Sequence, residues 1–322
     1  MLITTRGFGS RISPERTLRF AHRLCAALLL LAAGSTTRAA DEDDPQARSR
    51  NDLPPRIASR STDTSHAATP AVTVNRAASG SISGSAAGDS GEDPIAAAKQ
   101  AIGDCKTKFG SVRDYTCIFF KRERIDGKLV SQHVMNMKSR TSPMSIYFKF
   151  QKPNKGREAI YVAGRNSGRV LAHDVGIGKL IAGTMNLDPR GTMAMEECRH
   201  PITEAGIGAL IDTVAKHWNA ELKAGESQIA FDHTMRIGQH DCTMIESVHP
   251  LPHPNYLFHK VRLYIDHEHG LPIRFEAYDW PKKPGVEPEL MEEYTYLDLK
   301  TNVGLSNRDF DPSNTAYSFG RF

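Results

Sequence analysis

Residues 257–299 read LFHKVRLYIDHEHGLPIRFEAYDWPKKPGVEPELMEEYTYLDL, and apolar and polar side chains alternate through three consecutive runs. In the first run Val261, Leu263 and Ile265 alternate with Lys260, Arg262 and Tyr264. In the second, Leu271, Ile273, Phe275 and Ala277 alternate with Arg274, Glu276 and Tyr278, and in the third Met291, Thr295, Leu297 and Leu299 alternate with Glu292, Tyr294 and Asp298. A period of two sends successive side chains to opposite faces, so each run predicts a half-buried strand, and the Gly- and Pro-containing breaks predict hairpins. A sheet with one long apolar face must cover that face, with protein alone or with protein and a bound ligand.

The pattern extends upstream. DYTCIFFKRER (114–124) and KLVSQHVMNMKSR (128–140) flank Ile125-Asp126-Gly127, whose Asp-Gly pair is a hairpin signal. MSIYFKF (144–150), REAIYVAG (157–164), GRVLAHDV (168–175), QIAFDHTMRIG (228–238) and DCTMIESVH (241–249) also read as strands, and 176–201 as a long loop with a short strand or turn. Two helices interrupt them. Asp93 is a competent N-cap before Pro94, and Ile95, Ala98, Ile102, Cys105 and Phe109 make one apolar stripe. The second helix is expected from Thr203 to about Leu222, with its stripe at Ile207, Leu210, Ile211, Val214 and Trp218. The result is an all-β-dominated α+β class: a curved antiparallel sheet or unclosed half-barrel of ten or eleven strands, with two helices covering its concave face.

The N-terminal residues 1–40 read as a cleaved export signal. Five arginines precede the apolar run Leu24 to Ala33, and small residues follow up to Ala39 and Ala40. Cys25 sits inside that run after His22-Arg23-Leu24, which argues against a lipid-modified cysteine. This segment carries a net +5, so the rest of a chain whose total is +4 stands at −1. The basic balance of the whole chain therefore does not point to nucleic acid or anionic lipid, and no nucleic-acid partner is expected. Residues 41–93, rich in Ser, Ala, Gly, Asp and Pro with no aromatic residue, read as a disordered linker, which leaves 94–322 as the folded domain. The expected location is the periplasm, the cell envelope or the exterior, without an integral membrane segment after cleavage.

Chemistry-bearing motifs are sparse. GxSxG, GxGxxG, HExxH and CxxC are absent. Cys105, Cys117, Cys198 and Cys242 permit two disulfides in an oxidising compartment, with no pairing favoured, or four free thiols. His249 and His253 flank a Pro-rich loop, and His267 and His269 share a hairpin tip with Asp266 and Glu268. Residues two apart on an extended turn do not converge readily, so solvated loop histidines are expected, with no metal and no cofactor. Tyr264, Tyr278, Trp280, Tyr294 and Tyr296 share the even-numbered register, opposite the aliphatic one.

The hairpin Ile265 to Arg274 (IDHEHGLPIR) resembles an element of the LolA-like periplasmic lipoprotein carriers and their sigma-regulator sensor relatives: strand, Asp, short turn, Gly-Leu-Pro, Arg. DYTCIFFKRERIDGKL, GREAIYVAG, RHPITEAGIGALI, FEAYDWPKKPG and EEYTYLDLKTNVGL together look like the planctomycete-type DUF1571 proteins, over essentially all of 94–320. The resemblance implies an unclosed barrel, a helical lid, an apolar cavity and no catalytic residue. With the aliphatic register facing inward, the cavity candidates are Ile146, Phe148, Ile160, Val162, Val261, Leu263 and Phe275. The helix stripe Ile207, Leu210, Ile211, Val214 and Trp218 would lid that cavity or pack as core. The expected function is non-enzymatic binding of a lipid or lipoprotein acyl chain for envelope transport or sensing. An interaction or sensor module for an envelope protein partner, with a self-filled cavity, is the alternative, and an envelope hydrolase the second. On the leading reading, Leu263→Glu or Ile211→Glu abolishes lipid retention.

Overall fold

The computed structural model describes residues 72–76, 93–175 and 183–320. The strands are β1 (Val74–Arg76), β2 (Asp114–Ile125), β3 (Lys128–Leu129), β4 (His133–Arg140), β5 (Ser145–Lys152), β6 (Glu158–Val162), β7 (Val170–His173) and β8 (Thr184–Leu187). They continue as β9 (Gln228–Ile237), β10 (His240–Val248), β11 (Lys260–Asp266), β12 (Leu271–Tyr278) and β13 (Leu290–Thr301). The helices are α1 (Pro94–Phe109), the single turn α2 (Thr192–Met195) and α3 (Ile207–Glu221). All thirteen strands belong to one sheet, in the order β1-β9-β10-β11-β12-β13-β2-β4-β5-β6-β7-β8, with β3 paired to β2 alone. Every pairing is antiparallel, and β1 and β8 end the row without meeting, so the sheet is unclosed.

This is the expected architecture with two additional short strands, β1 and β3, and with β8 as the short strand expected within 176–201. The turn at Asp126-Gly127 has both residues at positive φ and joins Ile125 to Lys128, as the Asp-Gly signal requires. The run 128–140 divides into β3 and β4. Within the stretch read as a linker, Val74–Arg76 pairs with Met235–Ile237 on β9. The expected signal segment lies outside the described residues. Among those that are described, no helix is long and apolar enough to cross a membrane.

Both helices carry the stripes read from the sequence. Asp93 Oδ1 accepts the Ile95 amide at 3.0 Å, and Ala98, Ile102 and Cys105 are buried. All five stripe residues of α3 are buried, each contributing on the order of 1.5–3 kcal/mol. The start of α3 differs from expectation. Thr203 lies in a short 3-10 turn, Ile202–Glu204, and the cap position is Gly206 at φ 104. The Tyr115 hydroxyl replaces a capping side chain by accepting the Ile207 amide at 2.9 Å. A Cβ on Gly206 would stand 2.6 Å from that oxygen, so the position requires glycine. Two residues further on, a Cβ on Gly208 would stand 2.5 Å from Phe109 of α1, so the two helices meet through that glycine.

The four cysteines in this part of the chain are free. Burial pushes the Cys105 and Cys242 thiols up to about 12, which makes them inert apolar packing groups.

Candidate functional site

Half of the concave face is filled and half is not. Under α1 and α3, Ile102, Ile207, Ile211, Val214, Trp218, Leu263 and Ile273 form part of one contiguous buried core. Beyond them, from β12 across β13, β2, β4 and β5 to β8, the sheet floors a cavity of about 390 Å³. Its floor is an aromatic ladder that crosses the strands. Phe275 stacks on Tyr294 with centroids 6.1 Å apart, Tyr294 on Phe119 at 6.1 Å, and Phe119 on Tyr296 at 4.9 Å and on Phe148 at 5.8 Å. Met135, Phe150, Ala159, Val170, Ala172, Met185 and Leu187 extend the apolar wall. The roof is mostly a strap rather than a helix face: Pro189, Met193 and Ala194, then residues 196–198, 200–202 and 204–206, then Ala209, Leu210 and Thr213 on the first turns of α3.

A polar latch holds the strap to the sheet. The Glu123 carboxylate, 2% exposed, takes Lys121 Nζ at 3.0 Å, the Tyr294 hydroxyl at 2.6 Å and the Arg199 amide of the strap at 2.8 Å. Glu292 takes Arg199 Nε at 2.9 Å and His200 Nε2 at 3.0 Å. Lys121 Nζ also donates to the Glu197 carbonyl at 2.9 Å and to Cys198 Sγ at 3.1 Å. Burial alone would raise the Glu123 pKa, but the Lys121 ammonium and the hydrogen bonds from Tyr294 and Arg199 bring it below the ordinary carboxylate value. The hydrogen bond to Glu292 raises the His200 pKa above the usual imidazole value. Burial, reinforced by Lys121, lowers that of His133, whose Nδ1 is buried without a partner.

His200 and Glu292 are the converging histidine and carboxylate that a hydrolase would need. Here Glu292 is already shared with Arg199, and the Cys198 thiol faces Lys121, so the group ties the strap down.

Of the twelve residues expected to line a cavity, Phe148, Leu210 and Phe275 do so. Ile146, Ile207, Ile211, Val214, Trp218 and Leu263 are part of the solid core, with Val261 packed against it. Ile160 and Val162 lie on the opposite face, in a satellite cluster with Tyr147, Phe310 and Phe319. Leu263→Glu and Ile211→Glu are therefore folding substitutions rather than probes of a pocket. The reason is cross-strand parity. Phe275 pairs with Tyr294, an odd position with an even one, so Tyr294 and Tyr296 share the face of Phe275. Tyr264 and Tyr278 lie on the other face with Arg262, Arg274 and Glu276. Alternation within a strand cannot reveal the parity between strands, which depends on loop length and on bulges such as the one at Ala277/Tyr278.

Comparison with known proteins places the chain in a family. Residues 112–319 match the family described as "Protein of unknown function (DUF1571)", and the chain belongs to it. A comparison with curated proteins finds no match. Among solved structures, a putative outer membrane lipoprotein-sorting protein domain from Vibrio parahaemolyticus aligns at 11% identity and a TM-score of 0.32, over 66% of this chain and 95% of that one. The Mycobacterium tuberculosis lipoprotein LppX aligns at 11% identity and 0.38, over 67% and 99%. The Pseudomonas aeruginosa MucA/MucB complex aligns at 13% identity and 0.39, over 67% and 60%. At these scores none of their ligands or partners carries over to this chain.

Proposed function

We propose that the cavity receives the apolar part of an amphiphile, a lipid or a lipoprotein acyl chain, and that the protein carries or senses it in the cell envelope without catalysing a reaction. The observation that supports this most is the open space between the aromatic floor and the strap, beside a buried core under α1 and α3. A core that could be filled by its own side chains normally is, because interiors pack to crystal-like density. A self-filled interaction module would have no reason to keep this cavity. Each methylene buried contributes about 0.8 kcal/mol, so a chain of roughly ten carbons supplies on the order of 8 kcal/mol before ordering costs. Lifting of the strap widens access to the cavity, and the latch at Lys121, Glu123 and Glu292 sets how easily it lifts.

The test is lipid extraction and native mass spectrometry on the protein purified from its exported state. A stoichiometric bound lipid, or saturable uptake of an added long-chain fatty acid, is expected. An apo mass with no uptake of fatty acid or phospholipid overturns the reading.

A further inference from the structure

We propose that His240, Asp266, Glu268 and His269 form a binding site for a divalent transition-metal ion of the zinc class, pinning the β9–β10 turn to the β11–β12 turn. The tip of the second hairpin contributes Asp266, Glu268 and His269. The residue that completes the set, His240, opens β10 and comes from the neighbouring hairpin. No spacing in the sequence announces this group, because strand pairing creates it: Cys242 pairs with Asp266, and the His267 amide donates to the Asp241 carbonyl at 3.0 Å.

The four donor atoms all lie within 4.8 Å of one another. His240 Nδ1 is 3.4 Å from Asp266 Oδ1, and His269 Nδ1 is hydrogen-bonded to Asp266 Oδ2 at 2.5 Å, a contact that a shared ion would replace. Nitrogen and oxygen donors about 2.0–2.2 Å from a tetrahedral zinc ion stand roughly 3.3 Å apart, so small rotations of the outer side chains close the set. Two imidazoles with two carboxylates suit zinc, manganese or iron, whereas calcium and magnesium favour oxygen alone. His267 is not part of the group. Its Nε2 is engaged with the Thr243 hydroxyl at 2.9 Å.

A second observation points to a cation. Asp266 is 1% exposed, and its ionic partners among the described residues are the two histidines, with no lysine or arginine. A buried carboxylate without a fixed positive partner is costly, and a bound metal ion supplies one. Oδ2 also accepts the His269 amide at 3.0 Å, which fixes the carboxylate and leaves Oδ1 towards His240. Glu268 is exposed and has no ion-pair partner among the described residues, so its carboxylate is free to close the site.

Calorimetric titration of the metal-stripped, full-length protein with zinc chloride, alongside magnesium chloride, tests the proposal. One zinc per chain and no magnesium binding are expected, with a higher melting temperature in zinc. His240→Ala should weaken zinc by more than the roughly 10–100-fold typical of groups behind the ligands. Glu268→Gln, an exposed substitution that does not threaten the fold, should weaken it measurably, and His253→Ala should not. Absence of zinc binding in the wild type overturns the proposal, as does binding that is unchanged in both His240→Ala and Glu268→Gln.

Discussion

One sheet is covered in two ways, and the difference defines the molecule. Over β9 to β12 the cover is a pair of helices, whose stripes are buried against the strands except where Leu210 borders the cavity. From β12 to β8 the cover is a strap that meets the sheet at a charged latch and spans the gap between. A helix presents a continuous row of side chains at close range. A strap touches only where it is tied, so a cavity survives beneath it. The helix-covered half should therefore resist change and the strap-covered half should tolerate it.

Substitutions can break or sharpen this contrast. The largest loss is expected at Trp218, 3% exposed under α3: Trp218→Ala should cost about 3–5 kcal/mol in chemical denaturation. A loss no larger than that for Phe148→Ala, at the cavity wall, would erase the distinction between the halves. Next comes the latch. Glu123→Gln removes a carboxylate that accepts three hydrogen bonds and should cost about 2–3 kcal/mol, with faster fatty-acid uptake as its functional signature. A stability loss without faster uptake would make the latch purely structural. Gly208→Ala, which forces α3 away from Phe109, should cost about 1–3 kcal/mol and leave the aromatic floor unchanged.

The smallest effect is with pH. Glu123 is lowered, so its contribution is full above its unfolded value of 4.5 and is lost as pH falls through the folded value. His200 is raised, so its contribution is full below 6.5 and is lost as pH rises through the folded value. The strap should thus be held most firmly between these two values. Uptake rates measured from pH 4 to 8 should pass through a minimum there, and His200→Gln should flatten the alkaline side.

The fold was largely legible in the sequence, because alternation, turn residues and helix stripes are local signals. The three strands of 257–299, the Asp126-Gly127 turn and both stripes appear where they are read, although β12 is buried on both faces rather than half-buried. The cavity was legible only in part. Phe148, Leu210 and Phe275 are readable from local patterns, whereas Tyr294 and Tyr296 read as the opposite face because inter-strand parity is non-local. The strap at 189–206 has no periodicity to read, and its role comes from Arg199 and His200 reaching Glu123 and Glu292 across the fold. The meeting of His240 with Asp266 is hidden for the same reason.

The most direct test of the central claim fills the space without touching the solid core. Ala209 lies on α3 at the cavity rim, and Ala209→Phe would project a ring into the gap beneath the strap. Native mass spectra of the wild type and of this variant, purified identically from the same cells, should show bound lipid in the first and none in the second, with equal melting temperatures. Equal lipid in both, or lipid in neither, would contradict the account.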